Sequence, residues 1–187
     1  MNNSLTLNNI LIPENHLHPT VKKWFAIYTN YKREKLVVKN LSDRGIKAYL
    51  PLQQIVRQYQ RKRKVVELPL FNCYVFVNID LSEYTKVFQT EHVLSFIKFN
   101  KSIISIPDRE IDLLKRLLGE DIPVTIQDQS FEEGEIVEIA TSSLSGIKGR
   151  LIGKRGKREM IVELEQIGYN LRISVPPEVL IRVARSD

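Results

Sequence analysis

The stretch LPLFNCYVFV, residues 68–77, limits the fold more than any other part of this chain. Read as a strand it alternates sides, so Phe71, Cys73, Val75 and Val77 point one way while Asn72, Tyr74 and Phe76 point the other. Both faces are then partly apolar. A sheet covered on one side only shows polar residues on the other, so Tyr74 and Phe76 call for a cover. Two covers stay open from the pattern alone: a partner molecule, or this chain's own linker or the short helix expected at 82–90.

The surrounding pattern supplies an α+β frame. KWFAIYT (23–29) has the β-branched and aromatic content of a strand, with Asn30 placed to cap a following helix. Glu34, Val37, Val38 and Leu41 recur at helical spacing, and Gly45 offers a left-handed stop. IKAYLPLQQIVRQYQ reads as a strand interrupted by Pro51, and KVVELPLFNCYVFVNI as one or two more, with the basic QRKRK as a hairpin tip between them. Ser82 can cap a short helix, HVLSFIKF returns to strand, and in PDREIDLLKRLLG Asp108 caps a helix whose stripe is Ile111, Leu114 and Leu118. A first domain therefore spans 21–119. Residues 120–130 read as a polar linker, and five short alternating runs within 131–184 read as a small barrel.

Charge separates the same two units. Residues 21–119 hold 19 Lys and Arg against 9 Asp and Glu, whereas 131–187 hold nine of each, so the first domain carries a net +10 that four acids in 1–20 and 120–130 bring to the overall +6. A polyanionic partner for that domain follows. The run RQYQRKRK (57–64) is the densest part, with Arg57, Arg61, Lys62, Arg63 and Lys64 around Tyr59. A tip so charged stays in solvent, where it can track phosphates while the ring stacks on a base, or serve only as a solvated loop. Tyr31, Lys32, Arg33 and Lys35 form a second cationic cluster at a helix start, where the macrodipole is also positive.

Much is excluded. No apolar run reaches membrane-spanning length, and residues 1–20 lack the basic start and apolar stretch of a secretion signal, so they are read as a disordered arm on a cytoplasmic protein. The single cysteine, Cys73, rules out an internal disulfide framework and a multi-cysteine zinc site. His16 and His18 have no third ligand at a useful spacing, no Ser, His and Asp set is evident, and no phosphate-binding glycine loop appears, so neither cofactor, metal nor catalysis is expected.

Taken together, the motifs resemble NusG-type transcription factors. Trp24 to Ile27 with the helix after it, PLFNCYVFV at Pro69 to Val77, and FIKF at Phe96 to Phe99 followed by Ile106 and Pro107 resemble that family's amino-terminal (NGN) domain. Phe131 to Ile139, then Leu144, Gly146 and Gly149, resemble the turn and strands of its KOW domain. The resemblance implies a ferredoxin-like domain with an antiparallel sheet, followed by an SH3-like β-barrel. It also implies a non-enzymatic, monomeric elongation or antitermination factor. Asn72-Cys73 in place of Pro-Gly makes the strand look closer to the specialised RfaH-like and UpxY-like branch, which acts on selected operons.

Carried onto matching positions, the resemblance makes Phe71, Tyr74 and Phe76, with Phe25 or Tyr28 beside them, the docking surface for the clamp helices of the RNA polymerase largest subunit. Parity makes Phe71 the weakest member, since it favours the opposite side. The resemblance also points Lys32 and Arg33 at nontemplate DNA, with upstream DNA as a further target for the hairpin. Thr90, Glu91 and His92 depart from the family's Thr-Arg-Gly, and the carboxylate there repels phosphate, which leaves His92 a local hydrogen bond. The barrel's partner stays open between a ribosomal protein, a termination factor and RNA. KGRLIGKRGKR (148–158) reads first as a solvated hairpin. The competing reading is an RNA-binding protein of ribosome assembly or translation, because KOW barrels also occur in ribosomal proteins.

Overall fold

The computed structural model describes residues 15–59, 62–98, 101–119, 124–127, 136–141, 144–154, 157–164, 169–174 and 177–183. Its first sheet is built from β1 (Lys23–Thr29), β2 (Lys47–Tyr49), β5 (Tyr74–Ile79) and β6 (Val93–Phe96), in the antiparallel order β2-β5-β1-β6. With α1 (Glu34–Asp43) after β1 and α2 (Tyr84–Phe88) before β6, this is the ferredoxin-like arrangement. A two-stranded hairpin, β3 (Leu52–Gln58) and β4 (Arg63–Pro69), is inserted between β2 and β5 as a sheet of its own.

Strand alternation sorts the core into two layers. Phe25, Ile27, Val75, Val77 and Ile79 meet Val37 and Leu41 of α1 and Val87 of α2 on one face. Trp24, Ala26 and Phe76 face the other way, where Ile111, Leu114 and Leu117 of α3 (Asp108–Leu118) pack on them. The second face thus has a cover from its own chain: α3, not the linker and not the helix at 82–90. The buried stripe ends on Leu117 rather than Leu118. Helix starts also differ from expectation. Arg33 and Pro107 occupy the N-cap positions of α1 and α3 without side-chain caps, and Asp80, in a capping box with Glu83, performs the role expected of Ser82.

Residues 15–18, expected in a disordered arm, are tied down. Asn15 bridges Ile103, His16 N–H donates to the Ile103 carbonyl (2.9 Å), Ser105 N–H donates to His16 Nδ1 (3.0 Å), and Leu81 N–H donates to the His18 carbonyl (2.9 Å). The remainder of that arm, 1–14, lies outside the described residues.

The second sheet is antiparallel, in the order β12-β8-β9-β10-β11-β7, from β7 (Val124–Gln127), β8 (Ile136–Ile139), β9 (Lys148–Lys154), β10 (Lys157–Leu164), β11 (Tyr169–Ser174) and β12 (Leu180–Arg182), and it is compatible with a KOW domain. β7 falls inside the expected linker, yet it pairs with β11 from Ile173↔Val124 to Asn170↔Gln127. Leu144 is buried and Gly146 is left-handed at φ +85°. At Gly149 the strands run so close that a Cβ would lie 2.3 Å from the Ile161 carbonyl oxygen and 2.6 Å from Met160 Cε. Met160 can yield; the β10 backbone cannot. Gly149→Ala should therefore destabilise this unit by about 1–3 kcal/mol, in the range of other overpacked sites. A thermal melt of the full chain with an unaltered second transition would refute that. The expected motif residues Phe131–Glu135 lie outside the described residues.

The two units meet at α3. Arg116 Nη2 donates to the Ser145 carbonyl at 2.6 Å, and a cavity of about 650 Å³ lies between Leu113 and Arg116 on one side and Ile147, Lys148 and Val162 on the other.

Candidate functional site

β1 ends where three loops converge, and one non-glycine residue in each loop is left-handed: Lys32 (φ 61°), Cys73 (φ 67°) and His92 (φ 70°). Such residues cost about 1–2 kcal/mol each unless the surroundings hold them. Hydrogen bonds do so at Cys73 and His92. Thr29 N–H donates to the Cys73 carbonyl (2.8 Å), Asn30 N–H donates to the His92 carbonyl (3.0 Å), and Cys73 N–H donates to Oε1 of the buried Glu34 (2.8 Å). Asn30 therefore does not cap α1; its side chain lies 3.4 Å from His92 Nδ1, the local contact expected of that histidine.

On this frame Tyr28 and Tyr74, register partners across β1 and β5, stand edge to face with ring centroids 5.7 Å apart at 81°. Tyr28 is 39% exposed and Tyr74 is partly buried against the α3-side core. The Cys73 thiol beside Tyr28, through charge and a hydrogen bond, raises the Tyr28 hydroxyl above its ordinary value.

The other three aromatics expected on the docking surface are in the core. Phe76 is fully buried beneath α3, edge to face with Phe71 at 6.1 Å and stacked on Tyr49 at 6.4 Å. Phe25 is buried on the α1 side against Phe96, as its pairing with Val77 dictates. Phe71 is buried too, but on the Phe76 side, which reverses its parity. The reason is local. β5 starts only at Tyr74, and left-handed Cys73 breaks the alternation between Phe71 and the strand. The exposed aromatic surface is thus narrower than expected and centres on the two tyrosines.

Tyr31, Lys32 and Lys35 at the start of α1 and Arg57, the first cation of the hairpin run, line one concavity. A cavity of about 690 Å³ opens between the start of α1 and the hairpin, with Tyr31, Lys32, Lys35, Gln53, Arg57 and Glu67 among its walls. Tyr31 is 63% exposed, with Lys32 Nζ 5.1 Å from its ring centre, and Lys35 Nζ pairs with Glu67 at 3.3 Å across the cavity. Arg33, Tyr59, Lys62, Arg63 and Lys64 are exposed as well; Arg61 lies outside the described residues. The surface therefore offers cations and an accessible ring to an anionic ligand. Among the described residues no three His, Cys, Asp or Glu side chains gather as a metal site, and no helix is long and apolar enough to cross a membrane.

Sequence reading missed the carboxylate of Glu34, which was noted only as a position in a helical repeat. Its one available signal was a charged residue falling on the buried stripe with Val37 and Leu41.

Residues 22–115, which carry the tyrosine pair and the cationic cavity, match the family model described as NusG, transcription termination factor nusG. The chain belongs to the NusG family. NusG-family proteins are transcription factors, and the matched span coincides with the ferredoxin-like unit, its hairpin and most of α3. Among solved structures, "Domain interaction in Thermotoga maritima NusG" is similar over 87% of this chain and 98% of that one, at 22% identity and a TM-score of 0.52. A chain from the MjSpt4:Spt5 complex aligns over 88% of this chain and 99% of its own, at 19% identity and a TM-score of 0.31. No curated protein matches. The Thermotoga maritima likeness supports a NusG-type fold across both units, including the second sheet that the family model leaves unmatched.

Proposed function

We propose that this NusG-family chain is an elongation and antitermination factor that acts at selected operons. The first domain docks on the clamp helices of the RNA polymerase largest subunit through Tyr28 and Tyr74. Lys32, Arg33 and Lys35, with Tyr31 as a stacking platform, meet the nontemplate strand, and the hairpin cations Arg57, Lys62, Arg63 and Lys64 reach toward upstream DNA. Spanning polymerase and DNA together stabilises the closed, processive state, which is a shift in population rather than a chemical step. The second domain is left to recruit a ribosomal protein, a termination factor or RNA.

The observation that carries this reading is the Tyr28–Tyr74 pair, with Tyr28 exposed and Tyr74 partly so, set on a hydrogen-bonded frame next to the cationic cavity. Aromatic anchors on a rigid base favour protein docking, because little rotamer entropy is lost on binding. The cations alongside give the nucleic acid a separate, salt-sensitive contact.

Nascent RNA sequenced with and without the protein tests the operon-level role. Extended transcripts should be confined to a few long operons. Transcripts that do not change anywhere would overturn the elongation role, and a uniform change across all operons would leave a general elongation factor in place of a selective one.

A further inference from the structure

The two most exposed aliphatic side chains among the described residues are Val56 at 63% and Val65 at 56%, and they are direct register partners at the middle of the hairpin. An isolated two-stranded ribbon is only marginally stable in water, and a bare cross-strand pair of β-branched residues is poor economy for one. The pairing register fixes what surrounds them. Gln58 and Arg63, two residues further toward the tip and also opposite each other, share the valine face, with Arg63 Nε donating to Gln58 Oε1 at 2.9 Å. Arg57 and Lys64, opposite each other between these pairs, project from the other face. Toward the base of the ribbon, Gln54 and Glu67 are the next opposed pair on the valine face; Glu67 is the one acid in 52–69 and is paired with Lys35 at 3.3 Å.

We infer that this ribbon enters the major groove of duplex DNA and sets Val56 and Val65 against thymine methyl groups. A two-stranded ribbon fits a groove about 12 Å wide, and apolar side chains there contact the thymine C5 methyl. Arg63 and Gln58, held together on the same face, are side chains that hydrogen-bond base edges, while Arg57 and Lys64 on the opposite face are free to track phosphates. A protein partner fits less well, since interface cores are depleted of charge, whereas Arg63 shares the valine face and Arg57 and Lys64 project from the other. The inference deepens the proposed upstream-DNA contact and rests on that reading.

The test uses the full chain and a short fluorescent duplex of alternating A·T pairs, compared with the same duplex carrying deoxyuridine for thymine, which removes only the methyls. Wild type should bind the methylated duplex about fourfold more tightly for each methyl buried, and the Val56→Ser/Val65→Ser variant should bind both duplexes alike. Circular dichroism and retention on RNA polymerase should be unchanged in the variant. Equal wild-type affinity for the two duplexes, or a methyl preference that survives in the variant, overturns the inference while leaving the polymerase-docking proposal standing. Loss of polymerase retention in the valine variant, with no change in DNA affinity, also overturns it and makes the pair a protein contact. The docking proposal itself fails separately, through the tyrosine variants.

Discussion

Phe76→Ala is expected to lower the stability of the first domain by about 3–5 kcal/mol, the cost typical of truncating a buried aromatic side chain. Its ring is fully buried between the sheet and α3, and it touches Phe71 and Tyr49, so removal opens a cavity with rigid walls on two sides. For a domain of this size that shift corresponds to a fall in melting temperature of at least about 12 °C. Phe76→Leu fills most of the space and should cost much less. Calorimetry on both variants checks this. A Phe76→Ala protein that melts with wild type but no longer binds polymerase would restore Phe76 as a contact residue and remove it from the core.

Tyr28→Ala and Tyr74→Ala should behave in the opposite way, with folding nearly intact and polymerase retention lost. Anchors of this kind contribute at least about 2 kcal/mol on truncation, or roughly a 30-fold weaker complex. The two rings contact each other, so the double variant should lose less than the sum of the singles. Quantitative pull-down of polymerase at several protein concentrations is the measurement. Retention equal to wild type in both single variants would end the docking proposal, whatever the DNA measurements show.

The contrast between Phe76 and Tyr74 shows where sequence reading reached and where it stopped. Aromatic and β-branched content, turn residues and helical spacing place β1, α1, the hairpin, β5 and α3 in the right order. The stripe Ile111, Leu114 and Leu117 marks α3 as amphipathic, but a stripe does not say which surface it covers. Hence the pattern leaves the cover over Phe76 open between a partner, the linker and the 82–90 helix, and the structure supplies it from α3. Phe71 departs from its expected side because the chain turns left-handed at Cys73, which nothing in the sequence signals at a cysteine. β7 escaped because VTIQ is too short to show a period and owes its pairing to β11, far along the chain. The cationic clusters are legible as charge; that Arg57 of the hairpin joins Lys32 and Lys35 in one cavity depends on how the hairpin folds back toward α1, which no local pattern encodes.

The bonds that fasten residues 15–18 move the true start of the first domain upstream of Val21. A protein shortened to begin there would leave the Ile103 carbonyl and the Leu81 and Ser105 amides without the acceptors and donor they use now, and would strip Leu17 from the helical-side core. That short lead-in works as a latch across the far end of the sheet, and trimming it as packaging would loosen the very body meant to be studied in isolation.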